Sequence, residues 1–568
     1  MQPSSFSRRE HLRALWPWLP VWTLVALVGI FSHGPMPMYS TRTLAVAWEM
    51  WNQHHWLVPH NNGEPYSEKV PLVFWMIHAG WLVWGVNDIW PRILEVIYGG
   101  AQLILVSVLG HRLFPNRAWV AKAAPWLLMS LAYAFFFGLQ IMYDVLLAVW
   151  VLAALLCLTP RADRSEPRWL FFALFIGLGL LTKGPVMLLH VVFPWLLGPL
   201  WNDWARANRG RWYGRGVAAL LGGFAILLCW ALPAGFSGGE AYRQRLFFTQ
   251  TAGRVVDAFD HAEPFWFYAM WLPALLFPII AWPRAWAAVA SLRRPLDPGV
   301  RFALCWIVPV FVCFSLISGK QPYYPLPEYA GFALLVAGAV SSFREKRPDL
   351  AFNYALGTWP LALGGFAVAA GMFILPNLVE SGQAHDSWFV DFSHYSRYFA
   401  IVYFILGALL LLRGRGETRR LAIAGLVGTL ALNTLFTLSS WQRFDLTPAA
   451  VYLGRAQAEG RAVGNLAYYE GQFHFAGRMD QPVTRLREGQ ELFDFAKAHP
   501  DGLVVTYGTK LDSDELRYAQ LVQPFRSDFL VIWKAAALAA LRQGHQPAEP
   551  ATSTLIYPPG YWRYKALK

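Results

Sequence analysis

Apolar residues fall into long runs along the chain, many of the length a helix needs to cross the hydrocarbon core of a bilayer, roughly 17–25 residues. Such runs occupy residues 15–32, 92–112, 123–139, 145–159, 169–182, 185–201, 215–236, 264–283, 302–318, 328–343, 353–375, 396–413 and 420–440. They predict an all-α polytopic membrane bundle of about thirteen transmembrane helices, the last ending near Trp441. Several are short, notably the pair around Leu181-Thr182-Lys183-Gly184-Pro185, where Gly and Pro predict a tight hairpin between two helices. The apolar piece Pro71–Val86, which contains His78, has about sixteen residues and is marginal for a crossing. It is read as an interfacial or re-entrant helix. After Trp441 the pattern turns to mixed polar sequence with short apolar runs such as Leu503–Tyr507 and Phe529–Trp533. That tail, about 125 residues and domain-sized, predicts a small C-terminal α/β domain. The expected division is 1–441 as the membrane domain, with interfacial helices within 33–86, and 442–568 as a soluble domain.

Composition supports a membrane protein. Hydrophobic residues make up 56 % of the 568 and charged residues 15 %, where soluble globular chains carry roughly 25 % charged. That deficit excludes a soluble enzyme of ordinary surface and excludes intrinsic disorder. The 29 Trp and 39 Phe fit the aromatic belts of membrane–water interfaces. Cys157, Cys229, Cys305 and Cys313 all lie in apolar stretches, so they read as inert core fillers and no disulfide framework is expected. The net charge of +13 is concentrated in short loops. Arg112/Arg117/Lys122, Arg161/Arg164/Arg168, Arg206/Arg209/Arg211/Arg215, Arg284/Arg293/Arg294/Arg301, Arg344/Lys346/Arg347 and Arg413/Arg415/Arg419/Arg420 form six basic clusters. They alternate with poorly basic loops, which by the positive-inside rule puts the clusters and the Arg8-Arg9 N-terminus in the cytoplasm. The run that follows Arg8-Arg9-Glu10 has no small-residue cleavage site and reads as a retained first span. The C-terminal domain is then expected outside, in the periplasm.

The outward loops carry five basic residues at or near a membrane boundary: Arg42, Lys69, Lys183, Arg254 and Lys320. Outward cations run against the positive-inside preference, and their natural use is to hold an anionic group such as a lipid phosphate or pyrophosphate. The competing reading is snorkelling to lipid headgroups. Acids on this face include Glu49, Glu68, Asp144, Asp257, Asp260, Glu263 and Glu328. No zincin, zinc-ribbon or serine-hydrolase motif occurs. Asn61-Asn62-Gly63 is a turn signal.

The run Trp56-Leu57-Val58-Pro59, followed by Gly63-Glu64-Pro65-Tyr66-Ser67-Glu68-Lys69-Val70-Pro71-Leu72, resembles the first outward loop of the aminoarabinose transferase and protein O-mannosyltransferase family of GT-C glycosyltransferases. Asp144, Leu181-Thr182-Lys183-Gly184-Pro185, His261-Ala262-Glu263-Pro264-Phe265-Trp266-Phe267-Tyr268 and Ser318-Gly319-Lys320-Gln321-Pro322-Tyr323-Tyr324-Pro325-Leu326-Pro327 follow in the family's order. The resemblance implies a GT-C-type bundle in the bacterial inner membrane that moves a sugar, with inversion, from undecaprenyl phosphate to an envelope acceptor such as a lipid A phosphate or another glycolipid. It implies a lipid-linked donor and a lipid acceptor as partners, and no nucleic acid. Lys69, Lys183, Arg254, Lys320, Arg42, Tyr324 and Glu328 are the implied substrate-binding residues, with Asp144 and Glu68 as the catalytic carboxylates. It further implies a divalent metal, Zn²⁺, on Glu68 and His261, residue types that ligate zinc well.

One departure matters. The family opens this loop with Asp-Glu-x-Arg-Tyr, and alignment on Arg42 and Glu49-Met50 puts Tyr39 and Ser40 in the acidic positions and Thr43 in place of the Tyr. Val70 also replaces the first Pro of the usual Lys-Pro-Pro. Three readings follow. The enzyme works without that base, as it can with an acceptor phosphate that is already anionic; another acid, Asp144 or Glu328, substitutes; or the chain binds or translocates a lipid-linked sugar without transferring it.

Overall fold

The computed structural model describes residues 17–132, 140–161, 163, 165–248, 262–384, 387–414, 416–508, 513–548, 550 and 554–555. They divide into two compact units. One comprises Met1–Ser32, Ser67–Leu378 and Ser396–Thr434; the other comprises His33–Tyr66, Val379–Tyr395 and Leu435–Lys568.

The first unit is helical. Helix Ile89–Leu113 has 25 residues, about 37 Å at 1.5 Å per residue, and is long enough to cross a bilayer. Six described helices meet that length and apolarity: this one, Arg209–Ser237, Pro298–Leu316, Trp359–Glu380, Trp388–Leu411 and Glu417–Ser439. Helix Leu72–Trp84, in the stretch read as non-crossing, has 13 residues, about 20 Å, and falls short of the roughly 30 Å core. It stops at Gly85, whose φ of 71° suits only glycine well. The chain then turns straight into Ile89–Leu113. The Trp90 indole fills the space beside Gly80 and donates to the Met76 carbonyl (3.0 Å), so the two helices form a close hairpin.

Helices Tyr143–Leu158 and Glu328–Lys346 are the most buried elements. In the first, Trp150 alone is not buried. Helix Arg209–Ser237 packs on Trp169–Lys183 through glycines, Gly223 against Ile176 and Gly177 against Ile226, the small-residue contact that lets membrane helices approach closely. Two expected spans are interrupted. The stretch 264–283 is helix Phe267–Leu275, a 3₁₀ turn at Ile279–Ala281 and helix Pro283–Ala290, because Pro278 and Pro283 supply no N–H to a continuing ladder. The stretch 185–201 breaks at Leu197-Gly198-Pro199 for the same reason. Cys229 is exposed rather than a core filler.

In the second unit a six-stranded sheet has the order β4-β3-β5-β7-β6-β8. Its strands are β3 Val463–Asn465, β4 Thr484–Arg485, β5 Leu503–Gly508, β6 Ala519–Phe525, β7 Asp528–Lys534 and β8 Thr554–Leu555. The two apolar runs singled out in the sequence, Leu503–Tyr507 and Phe529–Trp533, are antiparallel neighbours paired from Leu503–Lys534 to Gly508–Phe529. Alternation sends Leu503, Val505, Leu530 and Ile532 to one face, under helix Thr447–Ala458. It sends Val504, Phe529, Val531 and Trp533 to the other, under Gln490–Ala498 and Ala535–Arg542. Both faces are covered, so the sheet is a core.

His33–Tyr66 belongs to this unit. Helix Tyr39–Asn52 is followed by a two-residue hairpin, β1 His60–Asn61 and β2 Glu64–Pro65. Asn62 and Gly63 both have positive φ, 58° and 80°, as a type I′ hairpin turn requires. The Asn62 side chain donates from Nδ2 to the Val483 carbonyl (3.0 Å) and accepts at Oδ1 from the Val483 N–H (2.8 Å). Trp48 Nε1 donates to the Met479 carbonyl (2.8 Å).

Candidate functional site

In the helical unit the site is built on helix ends. Lys183 closes helix Trp169–Lys183, and Gly184, at φ 70°, lets the chain reverse into Pro185 and helix Val186–Leu196. Asp144 lies in the first turn of helix Tyr143–Leu158. A cation at a helix C-terminus and an anion at an N-terminus are each favoured by the macrodipole. Here the two meet: Lys183 Nζ is ion-paired with Asp144 Oδ1, the Asp144 side chain wholly buried and that of Lys183 15 % exposed. The second oxygen, Oδ2, has no partner among the described residues.

Aromatic rings line the pair. Lys183 Nζ lies 4.5 Å from the centroid of Tyr324 and 5.6 Å from that of Tyr323, within cation–π range. Lys69 Nζ lies 5.4 Å from the ring of Tyr143. Lys320 is buried, donating to the Glu263 carbonyl (2.6 Å) and the Ser318 carbonyl (3.4 Å). Burial lowers the pKa of its ammonium, opposed by the Glu263 charge. The loops at 69, 143–144, 183 and 323–324 thus bring two ammonium groups, a buried carboxylate and three tyrosines together. A buried ion pair contributes little to stability over an apolar replacement, so its presence points to a task.

Glu328 stands apart from this cluster in its bonding. It is fully buried at the start of helix Glu328–Lys346, accepting from His190 Nδ1 (2.7 Å) and Trp306 Nε1 (3.0 Å) through Oε1. Glu68 is exposed. Arg42 belongs to the other unit, where it is ion-paired with Glu470. Arg254 and His261 lie outside the described residues. Among the described residues no three His, Cys, Asp or Glu side chains gather as a metal site. Glu68 therefore has no set of donors among the described residues to complete a zinc shell.

Two buried ionisable residues within the predicted spans were not anticipated from sequence. Glu95 is buried on helix Ile89–Leu113 and accepts from Met142 N–H (3.2 Å); His190 is buried on helix Val186–Leu196. Each interrupts an apolar run predicted to span, and an ionisable group inside such a run is itself the signal.

In the sheet unit, Glu49 is buried and accepts from Gly63 N–H (2.6 Å). Burial pushes its carboxyl up to about 7, against the lowering effect of the Gly63 and Asn62 backbone bonds. A cavity of about 670 Å³ lies elsewhere in the helical unit, lined in part by Arg112, Arg117, Asn202, Trp204, Asp297 and Glu345. There Arg117 is matched by Asp297 (3.0 Å) and Glu345 (3.2 Å), and neither Asp144 nor Lys183 lines it.

Residues 67–230 match the family described as dolichyl-phosphate-mannose-protein mannosyltransferase. Among curated proteins the chain is similar to an undecaprenyl phosphate-alpha-4-amino-4-deoxy-L-arabinose arabinosyl transferase of Proteus mirabilis, 29 % identical over 59 % of this chain and 60 % of the relative. It is also similar to one from Pseudomonas paraeruginosa, 30 % identical over 61 % and 63 %. The matches therefore span less than two thirds of these relatives. Among solved structures, ArnT from Cupriavidus metallidurans bound to undecaprenyl phosphate superposes with a TM-score of 0.68 at 16 % identity, covering 91 % of this chain and 98 % of that one. Its apo state gives 0.66 over 92 % and 98 %. The folds are the same.

Proposed function

We propose that this chain, a membrane protein with the ArnT-like GT-C fold, is a glycosyltransferase that takes a sugar from undecaprenyl phosphate to an acceptor at the periplasmic face of the inner membrane. The observation that carries this reading is the buried Asp144–Lys183 pair walled by Tyr323 and Tyr324, with Lys69 nearby over Tyr143. In such a transfer the lipid phosphate leaves and the charge on it grows. Preorganised cations at that position lower the barrier, and Lys183, Lys69, Lys320 and Arg254 are assigned to it, with Tyr324 as a hydrogen-bond donor and Arg42 and Glu328 as further binding residues. Displacement of the phosphate from the opposite face of the sugar gives inversion. Asp144 positions the acceptor or a cationic sugar group. An acceptor phosphate, as on a lipid A-type glycolipid, needs no base, which suits a loop carrying Tyr39 and Ser40 where the family has acids. A Zn²⁺ ion on Glu68 and His261 would be a separate property of the site, and elemental analysis that finds no zinc in purified protein contradicts it.

The test is turnover of radiolabelled undecaprenyl-phosphate sugars by purified protein. Transfer of label to an envelope lipid supports the reading. The Tyr39-Ser40 pair also suits a second reading, a carrier-binding protein that lost catalysis, and binding of the donor with no transfer to any envelope acceptor favours it.

A further inference from the structure

Glu95 is an unexpected neighbour for the Asp144–Lys183 pair. It lies in the second turn of helix Ile89–Leu113, with 2 % of its surface exposed. Its Oε1 accepts from the backbone N–H of Met142, the residue that caps helix Tyr143–Leu158 two positions before Asp144. Its Oε2 is buried without a partner among the described residues, and so is Asp144 Oδ2. The bond to Met142 N–H brings the Glu95 carboxyl to the start of the helix whose first turn holds Asp144.

Charge counting makes this arrangement informative. Lys183 is ion-paired with Asp144 and offsets one negative charge, while Lys69 lies over the Tyr143 ring and is assigned to the lipid phosphate. Two ionised carboxylates beside one ammonium would leave a net charge in the interior of a membrane protein, which costs several kcal/mol. Like-charged carboxyls sharing a buried site avoid this by keeping one proton between them. One proton would also turn two orphaned acceptors into a single donor–acceptor pair, removing two desolvation penalties of about 1–3 kcal/mol each.

We propose that Glu95 is a positioning residue that holds this proton: its Oε2–H donates to Asp144 Oδ2, while its Oε1 fixes Met142. The clamp turns the Asp144 carboxylate toward Lys183 and holds the first turn of its helix in place. It sits outside the family's first-loop motif and supplies part of the preorganisation of the site. The inference rests on the transferase reading only for its kinetic arm.

Infrared spectroscopy of the purified full chain tests the proton without any assay of activity. At about pH 9, where Glu49, raised to about 7, is ionised, a protonated-carboxyl C=O band should be present in the wild type, lost in Glu95→Gln and shifted in Asp144→Asn. A wild-type band untouched by Glu95→Gln overturns the proposal. In the kinetic arm, Glu95→Leu should lower kcat about 10- to 100-fold with donor KM changed less than about threefold, the pattern of a disordered catalytic constellation. Glu95→Gln, which keeps both an acceptor for Met142 and a donor for Asp144, should recover most of that loss. If Glu95→Gln is as impaired as Glu95→Leu, Glu95 works as an anion and the proposal fails. A wild type that transfers nothing contradicts the function instead, while the infrared band still decides on the proton.

Discussion

Asp144 and Glu49 are both buried carboxylates, yet they make opposite predictions. Asp144 has a cation beside it, and its structural alternative is a capped turn in which Asn would serve almost as well. Asp144→Asn should therefore lower transfer by about 10²–10³-fold while leaving donor binding nearly intact, as when an interaction is lost in the transition state. Near-normal transfer removes Asp144 from catalysis. Glu49 accepts only backbone hydrogen bonds, and its carboxyl is raised from the usual value of 4.5 to about 7. Between those values the folded state binds a proton that the unfolded state releases, so stability contributed by protonated Glu49 is full below 4.5 and lost as pH rises through 7. Glu49→Gln should leave stability at pH 4 unchanged and raise it at pH 8 by up to about 3 kcal/mol, read from unfolding midpoints. An equal effect at both pH values contradicts this. Lys69, Lys183, Tyr324 and Asp144 could be picked out in the sequence because the motifs keep their order. Glu95 could not be placed there, because its relation to Asp144 exists only once two helices pack and bring Glu95 to Met142, 47 residues on.

Helices were legible where apolar length decides and misread where backbone donors decide. The hairpin at Gly184 followed from residue type, whereas summed hydropathy cannot register that Pro278 and Pro283 lack an N–H. The basic loops were also only half legible. Arg284 counts as a topogenic charge, yet its side chain is 2 % exposed, bonded to Glu417 (2.8 Å) and to the Leu350 and Asn353 carbonyls. Glu417 also accepts from Trp282 Nε1 (3.0 Å) and Arg344 (3.4 Å). This carboxylate ties the start of helix Glu417–Ser439 to helix Pro283–Ala290 through Arg284 and to the end of helix Glu328–Lys346 through Arg344. Glu417→Ala strands a buried guanidinium and should cost about 3–5 kcal/mol, measured as denaturant stability in detergent; a loss below about 1 kcal/mol would show that Arg284 finds water.

At the scale of the molecule, the fold was announced by hydropathy and motif order, and the ArnT structure shares it over 98 % of its length. Orientation is a separate prediction. In a chain whose exposed Cys229 is replaced, a cysteine at Tyr468, 72 % exposed, should react with an impermeant maleimide from the periplasm, and one at Arg293 only after the inner membrane is opened. The reverse pattern inverts the topology. The alternating basic clusters carry that expectation, and the unit that includes residues 33–66 and the sheet would then face the donor's side of the membrane. The most direct test of the whole account is single-turnover transfer by purified wild-type protein, alongside Lys183→Ala, from a radiolabelled undecaprenyl-phosphate sugar to extracted envelope lipids. The account predicts labelled acceptor with the wild type and at least a hundredfold less with the variant. Label that stays on the carrier while the wild type binds it tightly would contradict it.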